Sequence, residues 1–394
     1  MTKKDFLEIL SKRILVLDGA TGTMIQRYNL TEEDYRGTRF AASPILLKGN
    51  NDMLSLTKPE VIREIHQKYL EAGADIIETN TFNANRISQS DYNLQELVTE
   101  INTASVSIAR QIADEFTQQN PAKPRFVCAS IGPTNKTASM SPDVNNPAFR
   151  AVTFDDLVET YKEQVTAMIK AGADILLVET CFDTLNVKSC LFAIDQVQTE
   201  LGTDLPVMVS FTIADASGRI LSGQTLEACI RSISHANIVS IGLNCSLGAK
   251  EMTRFVKELS EKCPFCVTAH PNAGLPNQFG KYEQTPEIMQ GYIRTYLENS
   301  YVNIIGGCCG TNNEHIRKIA EIAGNYSPRP LPQKSNTMYL SGLEPLTVEK
   351  DKNFINIGER TNVAGSRKFA RLISENKLEE ASQVARQQIE NGAD

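Results

Sequence analysis

Eight short apolar segments alternate along this chain with longer amphipathic ones, and this alternation constrains the fold more than any other feature. Apolar runs of about four to eight residues bounded by turn residues are typical of buried strands. Strands that alternate with helices favour a parallel sheet. The predicted strands are Ile14–Leu17, Asp75–Thr79, Phe126–Ile131, Ile175–Glu179, Val207–Thr212, Ile238–Asn244, Cys266–His270 and Val302–Gly306.

Two passages of nearly identical sequence, 71–79 and 170–180, indicate that these strand-helix units are equivalent. Each contains Ala-Gly-Ala-Asp, an apolar run and Glu-Thr, as expected for a helix end, a glycine turn, a strand and a polar strand end. Equivalent units close into an eight-stranded barrel, which typically needs about 250 residues and more with insertions. We therefore predict an α/β fold, a (β/α)8 TIM barrel, over residues 1–325. Two long connections, 26–59 and 132–154, are predicted to cover the strand ends.

The sequence changes character after Asn325. Prolines in residues 326–352 favour an extended linker over a helix. A further apolar run, Phe354–Gly358, predicts a new strand, and the residues after it predict one or two helices. We therefore expect residues 353–394 to be the truncated start of a second (β/α)8 barrel.

Composition excludes several classes of function. The net charge of -7 and pI near 5.4 argue against nucleic-acid binding. No stretch approaches the roughly 20 apolar residues that span a bilayer, and Met1–Phe6 lacks the apolar core of a signal peptide. We therefore expect a cytoplasmic protein without a membrane partner. Its nine cysteines are expected to be reduced, so that packing or metal binding must explain them.

Three of the cysteines follow predicted strands: Cys245 follows the sixth, and Cys308 and Cys309 follow the eighth. Because the carboxyl ends of barrel strands meet at one end, we expect the three sulfurs to converge. Three thiolates hold one Zn²⁺ and leave a fourth position for a substrate, which is typical of a catalytic site. The alternative is that the three cysteines pack as small apolar side chains. Cys263 precedes the seventh strand, at the opposite end, and the Cys263–Cys266 pair is predicted to pack in the core.

Polar residues also end several predicted strands. A buried carboxylate such as Glu179 needs a cationic partner, which is either a substrate ammonium or a nearby lysine or arginine. Asp18 has an alternative role as a turn residue. His270 is predicted to lie beside the site without binding metal. The other residues noted at these strand ends are Gly19, Thr79, Thr180 and Asn244.

With these residues in place, the chain resembles the homocysteine S-methyltransferase family. The motifs that carry the resemblance are Leu-Asp-Gly-Ala-Thr-Gly-Thr-Met, Ala-Asp-Ile-Ile-Glu-Thr-Asn-Thr-Phe, Gly-Leu-Asn-Cys, His-Pro-Asn-Ala-Gly and Gly-Gly-Cys-Cys-Gly-Thr. The resemblance implies methyl transfer to the thiolate of L-homocysteine, giving methionine. It further implies that Zn²⁺ is bound by Cys245, Cys308 and Cys309, and that the homocysteine pocket is formed by Asp18, Gly19, Thr79, Glu179 and Asn244.

The residues after the predicted linker indicate which methyl donor the protein uses. Residues 354–369 resemble the opening of the pterin-binding barrel that follows in the cobalamin-dependent members of the family. This implies methylcobalamin as the donor and methyltetrahydrofolate as the ultimate donor, with cobalamin-binding and pterin-binding modules as partners. The alternatives are a betaine- or S-methylmethionine-dependent methyltransferase, or a protein in which zinc is purely structural.

Overall fold

The computed structural model describes residues 1–333, 336–349, 351 and 354–393. The chain forms two compact units, Met1–Lys334 with Ser341–Pro345 and Ser335–Leu340 with Leu346–Asp394. None of the helices in the described part has the length and apolar character needed to cross a membrane.

Eight parallel strands form the first unit's sheet: β1 Leu15–Val16, β2 Ile76–Glu78, β3 Phe126–Ile131, β4 Ile175–Cys181, β5 Val207–Phe211, β6 Ser240–Gly248, β7 Cys266–Asn272 and β8 Ile304–Ile305. Each strand from β2 to β8 pairs with the next, and β8 pairs with β1. A parallel bridge between Leu17 and Ile76 joins β1 to β2. The predicted TIM barrel over the first part of the chain is therefore confirmed.

Helices surround this sheet because each presents one apolar face to it. Thr153 begins one of them with a capping box, in which its hydroxyl accepts from the Asp156 N–H. The helices of the first unit are α1 Lys3–Lys12, α2 Thr21–Gln26, α3 Glu32–Arg36, α4 Leu54–Thr57, α5 Pro59–Glu71, α6 Arg86–Gln89, α7 Val98–Gln119, α8 Phe154–Lys170, α9 Thr184–Leu201, α10 Leu226–Ile233, α11 Ala249–Lys262, α12 Pro286–Glu298 and α13 Asn313–Ala323, with 3-10 turns at Asn51–Met53, Ser90–Tyr92 and Gln95–Leu97. The second unit contains α14 Arg367–Ser374 and α15 Leu378–Glu390.

The repeated Ala-Gly-Ala-Asp sequence has a structural role at the amino ends of the strands. The carboxylate of Asp75 accepts a hydrogen bond of 2.9 Å from the Val16 N–H. The carboxylate of Asp174 accepts an equal bond from the Val127 N–H. In both cases, the residue just before one strand satisfies a backbone donor of the neighbouring strand. The repeat therefore fixes strand register at this end of the barrel.

The second unit differs from its prediction. The predicted strand Phe354–Gly358 is wrong, because residues 354–359 have no regular secondary structure and Phe354 is 88% exposed. A parallel strand needs a neighbour to satisfy its backbone groups, and the local apolar pattern does not supply one. The predicted linker at 326–352 contains two strands that sequence analysis missed, β9 Met338–Ser341 and β10 Pro345–Val348.

Candidate active site

The sulfurs of Cys245, Cys308 and Cys309 lie within 4.8 Å of one another at the carboxyl end of the barrel. The sulfurs of Cys245 and Cys309 lie 3.6 Å apart, and all three cysteines are free thiols. Sulfurs bound at about 2.3 Å to one tetrahedral ion lie about 3.8 Å apart, so this cluster fits a single zinc ion. Zinc ligation itself stays a prediction.

The backbone is distorted where it delivers these side chains. Cys245 and Ser246 have φ values of 62° and 58°, and Thr180 at the end of β4 has 54°. Residues other than glycine reach this left-handed region at a cost of about 1–3 kcal/mol each. The register of β6 against β7 also shifts between Asn244 and Gly248, around Cys245. Distortion of this kind re-aims side chains and is common at functional sites.

The glycines around Cys308 and Cys309 are required by close packing. A Cβ on Gly307 would lie 2.6 Å from the hydroxyl oxygen of Thr311. A Cβ on Gly310, which has φ +81°, would lie 2.3 Å from the Cβ of Tyr282. Side chains at either position would displace these neighbours, and with them the two cysteines between the glycines.

The three thiols cannot all ionise together without a counter-charge. Hydrogen bonds from Cys308 and Cys309 lower the pKa of Cys245 to about 3. The same interactions raise the pKa of Cys308 well above its usual value, and the hydrogen bond with Cys245 raises that of Cys309 to about 11. A divalent cation supplies the missing positive charge and holds all three as thiolates. The donor set therefore fits a metal better than it fits free thiols.

Next to the sulfurs lies Glu179, which ends the straight part of β4. One of its carboxylate oxygens accepts a short hydrogen bond from the Ser130 hydroxyl, and the other lies 3.5 Å from the Asn244 side-chain nitrogen. That nitrogen also lies 3.9 Å from the sulfur of Cys308. Asn244 therefore connects the carboxylate to the cysteine cluster.

Two further carboxyl groups, Asp18 and Glu78, accompany Glu179. One oxygen of Asp18 accepts from the Glu78 N–H at 3.0 Å, and the other is buried without a partner. Burial raises the pKa of all three groups, to about 7 for Glu179. The carboxylates act on one another, and Cys245 acts on Glu179; all of these charges are negative and raise the pKa values further. Within the part of the chain that the structure describes, no lysine or arginine forms a salt bridge with this trio, which favours the substrate-ammonium alternative for Glu179 over an internal salt bridge.

A cavity of about 660 Å³ opens above these groups. Among the predicted residues, its wall contains Thr79, Glu179 and the three cysteines. Asp18, Gly19 and Asn244 are absent from the wall and lie behind it: Asp18 and Asn244 are buried, and Gly19 packs against Thr311 and Tyr69. His270 is buried and lies outside the cysteine cluster.

Much of the wall was not predicted from the sequence, including Glu78 and Tyr282. The repeat contained a signal for the first, because Glu78-Thr79 corresponds to Glu179-Thr180. Tyr282 lies in the irregular segment between β7 and α12, where periodicity gives no information.

Residues 15–323 match the sequence model of the family described as homocysteine S-methyltransferase. The chain belongs to the homocysteine S-methyltransferase family. It is therefore a methyltransferase, as predicted. Similar structures include the homocysteine methyltransferase MmuM from Escherichia coli in its metallated form, at 22% identity and a TM-score of 0.62, covering 81% of this chain and 98% of that one. The oxidized form of the same protein matches at 21% identity and a TM-score of 0.61, covering 78% and 95%. These likenesses support the barrel fold of this homocysteine S-methyltransferase family member.

Proposed function

We propose that this chain transfers a methyl group to the sulfur of L-homocysteine, giving methionine, at a zinc ion bound by Cys245, Cys308 and Cys309. The observation that carries the proposal is the joint opening of the cysteine cluster and of Glu78 and Glu179 into one cavity. Homocysteine carries a thiol and an ammonium group, so one molecule satisfies both halves of this cavity.

The protein's residues bind and orient the substrate. Glu179 and Glu78 attract the ammonium group, whose positive charge favours the ionised form of these carboxyl groups and of Asp18 behind them. Ser130 and Asn244 hold the Glu179 carboxylate in place. Zinc, when bound, supplies the charge that keeps the substrate thiol deprotonated at neutral pH. Three protein thiolates give that ion a net charge of -1 (2 minus 3), so the substrate sulfur stays electron-rich.

Methylcobalamin is the proposed donor, with methyltetrahydrofolate as the ultimate donor through cobalamin-binding and pterin-binding modules, as in cobalamin-dependent methionine synthase. Small cationic donors such as betaine are typically bound by several aromatic rings. The cavity wall has only two aromatic residues in the described chain, Phe82 and Tyr282, and it carries the cations Arg27 and Lys281. The sequence has no tryptophan. This composition of the wall favours a methyl donor that is bound by another module over a small cationic donor bound inside the cavity. Methylcobalamin would supply the methyl group to the substrate sulfur, and the electron pair of the cobalt–carbon bond would remain on cobalt.

The test is methionine formation from L-homocysteine by reduced, zinc-loaded protein, with methylcobalamin, S-methylmethionine and betaine supplied separately. We expect turnover with methylcobalamin, its loss in Cys309→Ala, and its retention in Cys263→Ala, whose thiol is buried at the opposite end. Turnover only with S-methylmethionine or betaine would replace the donor assignment. No turnover with any donor, together with tightly bound zinc, would favour the structural-zinc alternative.

A further inference from the structure

Three basic side chains converge on one carboxylate oxygen at the amino end of the barrel. Arg13 lies before β1, Asp75 before β2, and Lys123 and Arg125 before β3. The nearest side-chain nitrogens of Arg13, Arg125 and Lys123 lie 2.9, 3.7 and 3.8 Å from Oδ1 of Asp75. Its other oxygen, Oδ2, accepts from the Val16 N–H. The group therefore has three positive charges and one negative charge.

Arg125 is the least exposed of the three cations. Only 8% of its side chain is exposed, against 37% for Arg13 and 35% for Lys123. The Nε and Nη1 atoms of Arg125 are buried and form no hydrogen bond with any residue that the structure describes. Asp75, at 3.7 Å, is an ionic partner but lies beyond hydrogen-bond distance. Buried guanidinium donors normally have acceptors, so Arg125 has donors available for a further one.

The second copy of the Ala-Gly-Ala-Asp repeat shows that strand register does not require this excess of cations. Asp174 accepts from the Val127 N–H, in the same way as Asp75 accepts from β1. The cation beside it is Arg110, at 2.5 Å, and the same guanidinium pairs with Asp114 at 2.7 Å. Among the described residues, two carboxylates share one cation there, whereas three cations share one carboxylate at Asp75. The additional cations therefore have a purpose other than strand pairing.

We propose that Arg13, Lys123 and Arg125 bind a small tetrahedral oxyanion with two negative charges, such as hydrogen phosphate, at the amino end of the barrel. Its charge would balance the excess of the three cations over Asp75. The three nitrogens surround one oxygen atom, so no two of them are more than 7.5 Å apart (3.7 plus 3.8). One oxyanion can contact all three across this separation. Arginine binds phosphate through paired N–H donors, and lysine adds a point charge.

This site lies at the opposite end of the barrel from the cysteine cluster and goes beyond the proposed function. The test is isothermal titration of the reduced protein with sodium phosphate at pH 8, followed by urea unfolding in phosphate and in sodium chloride of equal ionic strength. We expect one phosphate to bind per chain. At about ten times the measured Kd, phosphate should raise the folding equilibrium constant about tenfold relative to chloride.

Two variants locate the ion. Lys123→Gln removes one cation and keeps a polar side chain, and we expect it to weaken phosphate binding about tenfold or more, because charge-assisted hydrogen bonds are the strong ones. Arg125→Lys keeps the charge but loses the paired donors, and it should also bind phosphate more weakly. Lys162→Gln is the matched control, since it removes the same charge from an ion pair with Glu200. It should bind phosphate as wild type does.

Equal stabilisation by phosphate and chloride would overturn the inference, because it would report screening of charge alone. Unchanged phosphate affinity in Lys123→Gln would also overturn it, since the ion would then bind elsewhere, as at Arg27 and Lys281 in the cavity wall. Acetate that binds as tightly as phosphate would contradict the doubly charged ligand. Glycerol 3-phosphate carries the same charge, and its affinity relative to phosphate distinguishes a phosphomonoester from the free ion. These measurements involve neither zinc nor methyl transfer, so their failure leaves the proposed function untouched.

Discussion

The two ends of the barrel use buried carboxylates in opposite ways. At the amino end, Asp75 accepts from the Val16 N–H and forms an ion pair of 2.9 Å with Arg13. At the carboxyl end, Glu179 is surrounded by other negative groups and has its pKa raised to about 7. The first arrangement stabilises the fold, and the second leaves a charge requirement that a ligand can meet. Barrel enzymes commonly separate stability and chemistry between these ends.

The cysteine cluster should show the largest effect. Cys309→Ala removes one of three sulfurs, and we expect stoichiometric zinc binding to be lost while the barrel stays folded, because the cluster lies outside the barrel core. Metal analysis and circular dichroism check this. Cys263→Ala, at the amino end, should retain one zinc ion per chain. Full zinc content in Cys309→Ala would show that the cysteine cluster is not the zinc site.

At the amino end, Asp75→Ala should destabilise the fold without affecting zinc. It leaves the Val16 N–H and the surrounding cations of Arg13, Lys123 and Arg125 without their partner. Removing one member of a buried ion pair costs about 3–5 kcal/mol, measurable by urea unfolding. Glu200→Ala, which breaks an exposed pair with Lys162, should cost less than about 1 kcal/mol. Similar losses in both variants would show that Asp75 has no special role.

At the carboxyl end, Glu179→Gln should stabilise the fold at alkaline pH, whereas Asp75→Ala at the amino end destabilises it. The folded pKa of about 7 lies above the ordinary 4.5, so the folded state loses stability from this group as pH rises between these values. A shift of 2.5 units (7 minus 4.5) corresponds to roughly 3 kcal/mol above pH 7. The variant should therefore be more stable than wild type at pH 8 but not at pH 4. A stability difference independent of pH would contradict this.

The same variant should bind homocysteine more weakly, because a neutral amide replaces the charged partner of the ammonium group. We expect the homocysteine KM to rise about tenfold or more, as hydrogen bonds to charged groups contribute about 1.5–3 kcal/mol. Zinc content should not change. A loss of zinc would instead place Glu179 in the metal site.

The smallest effect is expected for a helix cap that lies outside the cavity wall. Thr153 caps α8, its hydroxyl accepting from the Asp156 N–H at 3.1 Å, but it does not line the cavity. Thr153→Ala should cost about 1 kcal/mol of stability. The homocysteine KM and zinc content should match wild type. A changed KM would mean that the cavity depends on the start of this helix.

The sequence predicted the barrel well because a parallel strand carries its signal locally, in an apolar run between turn residues. It also placed the cysteines at one end, because parallel strands share a direction. Tyr282 could not be found this way, since its position depends on a turn around Asn277 and on contact with Gly310. The strand predicted at Phe354–Gly358 was wrong for a related reason. An apolar run indicates a strand, but a strand forms only where a neighbouring strand pairs with its backbone.

Zinc X-ray absorption with and without L-homocysteine tests the central claim most directly. We predict three sulfur ligands in the free protein and four after homocysteine is added, because the three cysteines line the cavity that would receive the substrate. A zinc site whose spectrum is unchanged by homocysteine would contradict it.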